Sequence, residues 1–208
     1  IEQNKKIVRR LIEDVINSQN VNLIDQIVAD DFVENENLGP GMPAGREGSK
    51  QAFIMMHNAF PDFKATIDDM IAEGDKVVVR TTWSGTHKGE FMGIPPTGKS
   101  VSFGVIDIIR LAGGKFVEHW GQMDSMGLMQ QLGVIPPDRE DYTWGEPLEV
   151  TGDPGNPEAN KKIARRFFEE VLNQGNLDLV DEMFATDYVG HVPGIPAIRS
   201  SEDAKQTF

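Results

Sequence analysis

Lys115-Phe116-Val117-Glu118-His119-Trp120-Gly121-Gln122-Met123-Asp124 follows the glycine pair Gly113-Gly114 and runs into the Met- and Leu-rich segment Ser125 to Gly133. The glycines mark a turn, and the β-branched and aromatic residues after them predict a strand. Working back, Ser100 to Leu111 predicts a long strand that meets the first across that turn. Phe63 to Glu73 and Lys76 to Thr86 predict two more, joined at the hairpin signal Gly74-Asp75. Residues 62–124 therefore read as an antiparallel meander.

Upstream of Pro61 the apolar period is helical. Ile7, Val8, Leu11, Ile12, Val15 and Ile16 make one stripe. Asn20 is placed to cap a second helix, Val21 to Ala29, and a third runs from Glu47 to Ala59 before Pro61 stops it. Asp31 to Asn35 reads as a short extended piece, and Gly39 to Gly45 as a loop. Helices first and strands after predict an α+β fold, three helices packed on one face of a sheet.

Composition narrows the function classes. The chain has 208 residues, a formal net charge of -13 and no cysteine. An acidic surface repels nucleic acid and anionic lipid, so neither is an expected partner. Without cysteine there is no thiolate nucleophile or thiolate metal site. The four histidines show no HxH or HExxH spacing, and no phosphate loop or serine elbow is present, so no metal or cofactor is expected. No apolar run is long enough to span a membrane and no signal peptide is visible, so we expect a cytoplasmic protein. The chain opens at Ile1 rather than methionine, and a start further upstream is expected.

Prolines and glycines dominate 136–157, which reads as a linker. Beyond it the chain repeats its own beginning. Of the 30 residues from Asn4 to Val33, 15 recur at a constant offset in Asn160 to Val189. The domain reading is 1–135, a linker over 136–157, and an incomplete second copy over 158–208 that ends before any strand. Its stripe of Phe167, Phe168, Val171, Leu172, Val180, Met183 and Phe184 has no sheet of its own. It is expected to dock on the first domain, to dock on a partner chain, or to belong to a longer tandem protein.

The element order resembles the SnoaL-like polyketide cyclase (ester cyclase) family of the NTF2-like superfamily. The residues that carry the resemblance are Gly85-Thr86-His87-Lys88-Gly89-Glu90-Phe91-Met92-Gly93-Ile94-Pro95-Pro96-Thr97-Gly98, then Asp107-Ile108-Ile109-Arg110, then Glu118-His119-Trp120. The resemblance implies a cone-shaped barrel, with helices over a strongly curved antiparallel sheet and an apolar pocket between them. It implies a homodimer formed through the outer face of the sheet. It also implies cofactor-free acid/base ring closure, using an aspartate two residues after a histidine on the last strand and a histidine on the strand before. Here those two positions hold Gly121 and Asp107.

Strand alternation then assigns the faces. If Asp107 faces the pocket, as the resemblance implies, so do Phe103, Val105 and Ile109, and on the last strand Val117, His119, Gly121 and Met123, provided the strand has no bulge. Asp107 and His119 become diagonal neighbours and the expected proton-transfer pair. Asp124 is a second candidate carboxylate, though one that could instead cap the turn into Ser125-Met126. Glu34, Asn35, His87, Phe103 and Gly121 are the expected substrate contacts. The function implied is binding of a small apolar oxygenated molecule, with cyclase, isomerase or dehydratase chemistry. The alternative is a non-catalytic ligand-binding or dimerisation module, which Gly121 favours.

Overall fold

A computed structural model describes residues 1–36, 38–39, 41–136, 155–192 and 197–208. The chain forms two compact units, Ile1–Trp144 and Gly145–Phe208. Most of the expected linker, residues 137–154, lies outside the described residues.

In the first unit, α1 (Glu2–Arg10) continues as π-helical turns over Leu11–Asn17. Ile7, Val8, Ile12, Val15 and Ile16 are buried, as the helical period predicts. A 3₁₀ turn, Val21–Leu23, leads into α2 (Ile24–Ile27). The expected helix to Ala29 ends early, because Val28 turns extended and opens β1 (Val28–Glu34). Then come α3 (Gly45–Ala59), β2 (Lys64–Glu73), β3 (Lys76–Thr86), β4 (Ser100–Ala112), β5 (Lys115–Met123) and α4 (Ser125–Leu132).

The sheet order is β1-β5-β4-β3-β2. The meander is antiparallel, but β1 joins parallel to β5, with Glu34 opposite His119. The expected short extended piece is thus a full edge strand, and the sheet is mixed. It is also open: β1 and β2 are edges, so helices cover a sheet that does not close into a barrel. Pairing across the molecule decides this, and local periodicity does not report it.

The β4–β5 register slips between Arg110 and Leu111: Arg110 faces Glu118 while Leu111 faces Phe116. Val117 is the extra residue of a β-bulge. Beyond it the inward residue is the buried Phe116, not Val117. The unbulged reading therefore fails at Val117 and holds for His119, Gly121 and Met123.

The glycine-rich motif after β3 is a clamp. His87 N–H donates to Lys99 O at 2.9 Å and Gly98 N–H donates to His87 O at 2.9 Å. Thr97 N–H donates to His87 Nδ1 at 3.3 Å, and Thr97 Oγ1 lies 3.1 Å from the same nitrogen. Lys88 and Gly89 N–H both donate to Ala59 O at the end of α3. The motif thereby fastens the β3–β4 connection to the helical layer.

The second unit has α5 (Pro157–Arg166), π-helical turns Phe167–Leu172, a 3₁₀ turn Leu177–Leu179, α6 (Val180–Met183) and α7 (Ser201–Thr207). Val171, Val180, Ile198 and Ala204 are buried together with Phe167, Phe184 and Tyr188 packed on them. The stripe pattern in the sequence does not reveal this small core. Ile163, Phe168 and Leu172 stay exposed.

Gly89 tests the clamp. A Cβ there would lie 2.2 Å from Asn58 O, a backbone atom that cannot move cheaply. Gly89→Ala should lower stability by about 1–3 kcal/mol, read by urea unfolding. An unchanged midpoint would show that the loop is not fastened there.

Candidate functional site

Helices α1 and α3 and the inner face of the sheet enclose a cavity of about 190 Å³. Its walls are largely apolar, including Val8, Ile12, Phe53, Met56, Trp83 and Phe91. Trp83 turns its ring inward and donates its indole N–H to Thr81 Oγ1 at 2.9 Å. The ionisable groups lining the cavity are Glu34, Glu36, Asp107 and His119.

These four converge because of register. Asp107 pairs with Gly121 and Ile109 with His119, so Asp107 and His119 are diagonal on adjacent strands. Parallel pairing brings Glu34 beside His119 from the other side. Nδ1–H of His119 donates to Glu34 Oε1 at 2.8 Å, and Nε2–H donates to Asp107 Oδ1 at 3.0 Å. Glu34 is itself held: Glu36 N–H donates to its Oε1 at 3.0 Å.

The electrostatics follow from that sandwich. Burial pushes the His119 pKa down, but the hydrogen bonds and charges of Asp107 and Glu34 push it up further, to about 10. At neutral pH the ring is an imidazolium with both N–H groups donated. It cannot act as a base while it carries that charge; it holds two carboxylates in place instead. Burial raises the Glu36 carboxyl above its usual range; the His119 charge opposes this, and Glu34 and Asp107 add to it.

Glu34, Glu36 and His119 bring possible metal-ligand atoms within 4.8 Å of one another. A metal needs a ring lone pair, and both nitrogens of His119 are committed to carboxylates. As arranged, the cluster suits a proton better than a cation.

The other expected site residues fall elsewhere. Asp124 does not line the cavity; it caps α4, accepting from Gly127 N–H at 2.9 Å, the role the sequence left open as the turn cap. His87 is buried in the loop clamp. Asn35 points away, its side chain donating to His119 O at 3.0 Å and Glu118 at 3.3 Å. Phe103 is buried in the core without lining the cavity, and Gly121 is buried against Glu36, His119 and Asp107. Glu36 is the site residue that sequence reasoning misses. Its signal in the sequence is only its place two residues past Glu34, since β1 ends at Glu34 and Glu36 lies in the bend beyond it.

The profile of the SnoaL-like polyketide cyclases matches residues 6–132. The chain belongs to that family. It is 26% identical over 121 residues to nogalonic acid methyl ester cyclase of Streptomyces nogalater, covering 57% of this chain and 90% of that protein. It is 28% identical over 144 residues to the aklanonic acid methyl ester cyclase DnrD of Streptomyces peucetius, covering 65% and 94% respectively. Among solved structures, TsrD of Streptomyces laurentii superposes with a TM-score of 0.59 at 30% identity, covering 64% of this chain and 97% of that one. The SnoaL-like match ends at α4, so it includes the whole cavity and none of the second unit. Among the described residues no helix is long and apolar enough to cross a membrane.

The imidazolium makes a pH prediction for this SnoaL-like unit. A His119 pKa raised from 6.5 to about 10 means the folded state holds the proton more tightly than the unfolded state. The stabilisation is complete below pH 6.5 and is lost as pH rises towards about 10. Urea unfolding across that range should show declining stability, and His119→Gln should flatten the decline. An equally steep decline in the variant would assign it to other groups.

Proposed function

We propose that the SnoaL-like unit binds a small, mostly apolar, oxygenated molecule and performs cofactor-free acid/base chemistry beside one of its carbonyls. The observation that carries this reading is an apolar cavity ending on His119, held between Asp107 and Glu34. An apolar wall with a few convergent polar groups suits such a ligand. The names of the relatives from S. nogalater and S. peucetius, both methyl ester cyclases, support ring closure as the reaction to test.

In that reaction Asp107, hydrogen-bonded to the imidazolium, takes a proton from a carbon next to a carbonyl. The electron pair left behind forms an enolate. Its carbon attacks a second carbonyl of the same molecule, one C–C bond forms, and the alkoxide produced takes up a proton. His119 stays charged throughout and steadies Asp107, with Glu34 fixing the ring from the other side. No electrons leave the substrate, so no redox partner is required.

Aklanonic acid methyl ester is a direct test, because intramolecular closure yields a product of unchanged mass. Chromatography with mass detection should find that product, and His119→Ala, with folding checked, should lower kcat by about 100-fold or more. Full activity in that variant would remove His119 from the mechanism. Absence of turnover by the wild-type chain on this and the nogalonic ester would reject the ring-closing reading.

The proposal includes a homodimer through the outer sheet face and a cytoplasmic location. Ile71, Ile106 and Ile108 are exposed on that face, an unusual apolar display for a sheet surface. Light scattering should give a dimer mass for the wild type and a monomer for Ile108→Glu; a monomeric wild type would contradict it. We further propose that 158–208 is a partial second copy. In support, its element order parallels that of the first unit, and Lys205–Asp181 at 2.6 Å parallels Lys50–Asp25 at 2.8 Å.

A further inference from the structure

We infer that Glu36 is the acid of this site, and that residue 121 is glycine because the Glu36 carboxylate fills the space a side chain there would take. The inference rests on the ring-closing reading and deepens it, by naming the group that protonates the alkoxide.

The geometry is direct. A Cβ built on Gly121 would lie 2.6 Å from Glu36 Oε2, 3.0 Å from His119 Cε1 and 3.2 Å from Asp107 Oδ1. The carboxylate therefore hangs over the glycine backbone, beside the Asp107–His119 pair, although it comes from the loop after β1. Position 121 lies directly opposite Asp107 in the β4–β5 ladder, so any side chain there would enter the cluster. Glycine keeps that place open without changing the strand.

Glu36 also differs from its neighbours in how it is engaged. Glu34 and Asp107 each accept a hydrogen bond from an N–H of the imidazolium. Among the described residues, no hydrogen bond reaches the Glu36 carboxyl. It lines the cavity, so it is free to meet an oxygen of the ligand. The ionisable groups around it are His119, Glu34 and Asp107, one cation against two anions. Burial and the two carboxylates favour the protonated form, which is what an acid must hold before it acts.

The step balances. Asp107 receives the proton from carbon, Glu36 gives its proton to the alkoxide oxygen, and the O–H bond of the product forms. The site then holds protonated Asp107 and ionised Glu36. Proton exchange with water restores both, and no other reactant is consumed.

The test uses the full chain with aklanonic acid methyl ester, in wild type, Glu36→Gln, Glu36→Ala, Gly121→Asp and the double variant Glu36→Ala with Gly121→Asp. Glu36→Gln should lower kcat by about 100-fold with KM changed less than about threefold, and should remove the fall of rate on the alkaline side. Gly121→Asp alone crowds Glu36 and should also be impaired. The double variant, which clears the space and returns a carboxyl above position 121, should recover about 10-fold over Glu36→Ala. A Glu36→Gln kcat within about threefold of wild type, while His119→Ala is inactive, would overturn the assignment and leave the ring-closing reading intact. If wild type turns over neither ester, carboxyl ¹³C NMR of the ligand-free chain decides. A Glu36 resonance titrating above the ordinary glutamate range and displaced by Gly121→Asp supports its role as the acid of the cavity. A resonance titrating in the ordinary range rejects it.

Discussion

One imidazolium held between two carboxylates organises the inner face of this fold. Glu34 comes from an edge strand, Asp107 from the centre of the meander and His119 from the strand between them. Three strands meet at one charge. The bond to Glu34 joins the helical half of the chain to the meander, because β1 lies between α2 and α3. Removing the ring would leave two partly buried carboxylates facing each other without a cation, a costly arrangement in an apolar cavity.

The same sandwich sets the chemistry the site can do. A histidine with one carboxylate is the usual arrangement of a general base; a second carboxylate takes the ring out of that role by fixing its proton. In the proposed reaction the work of moving protons passes to the acids around it. Glu36, unbonded and half-buried beside the charge, differs from its neighbours in just the respect that matters. A side chain at Gly121 would meet that carboxylate, which reaches over the strand from beyond the end of β1.

The helical stripe of α1 and the four-stranded meander are legible in the sequence, because they come from period; the diagonal of Asp107 and His119 also needs the family resemblance, which says which face Asp107 takes. Three features are not. β1 reads as a fragment, since its seven residues have a burial pattern set by pairing with β5 and not by their own alternation. The bulge at Val117 is invisible, because an inserted residue changes register without changing composition. Glu36 lies two residues past Glu34, in a stretch that reads as loop. Asp124 is the opposite case: capping is among the readings the sequence offers, and the hydrogen bond to Gly127 fits it.

Held between two carboxylates, His119 should be doubly protonated in the folded chain, and ¹⁵N NMR of the imidazole reads that state directly. At pH 8, above the ordinary histidine pKa of 6.5 and below about 10, both ring nitrogens should show the shifts of protonated, N–H-bearing nitrogen. A spectrum with one protonated and one bare nitrogen at that pH would mean a neutral ring. It would contradict the account of the site built on this charge.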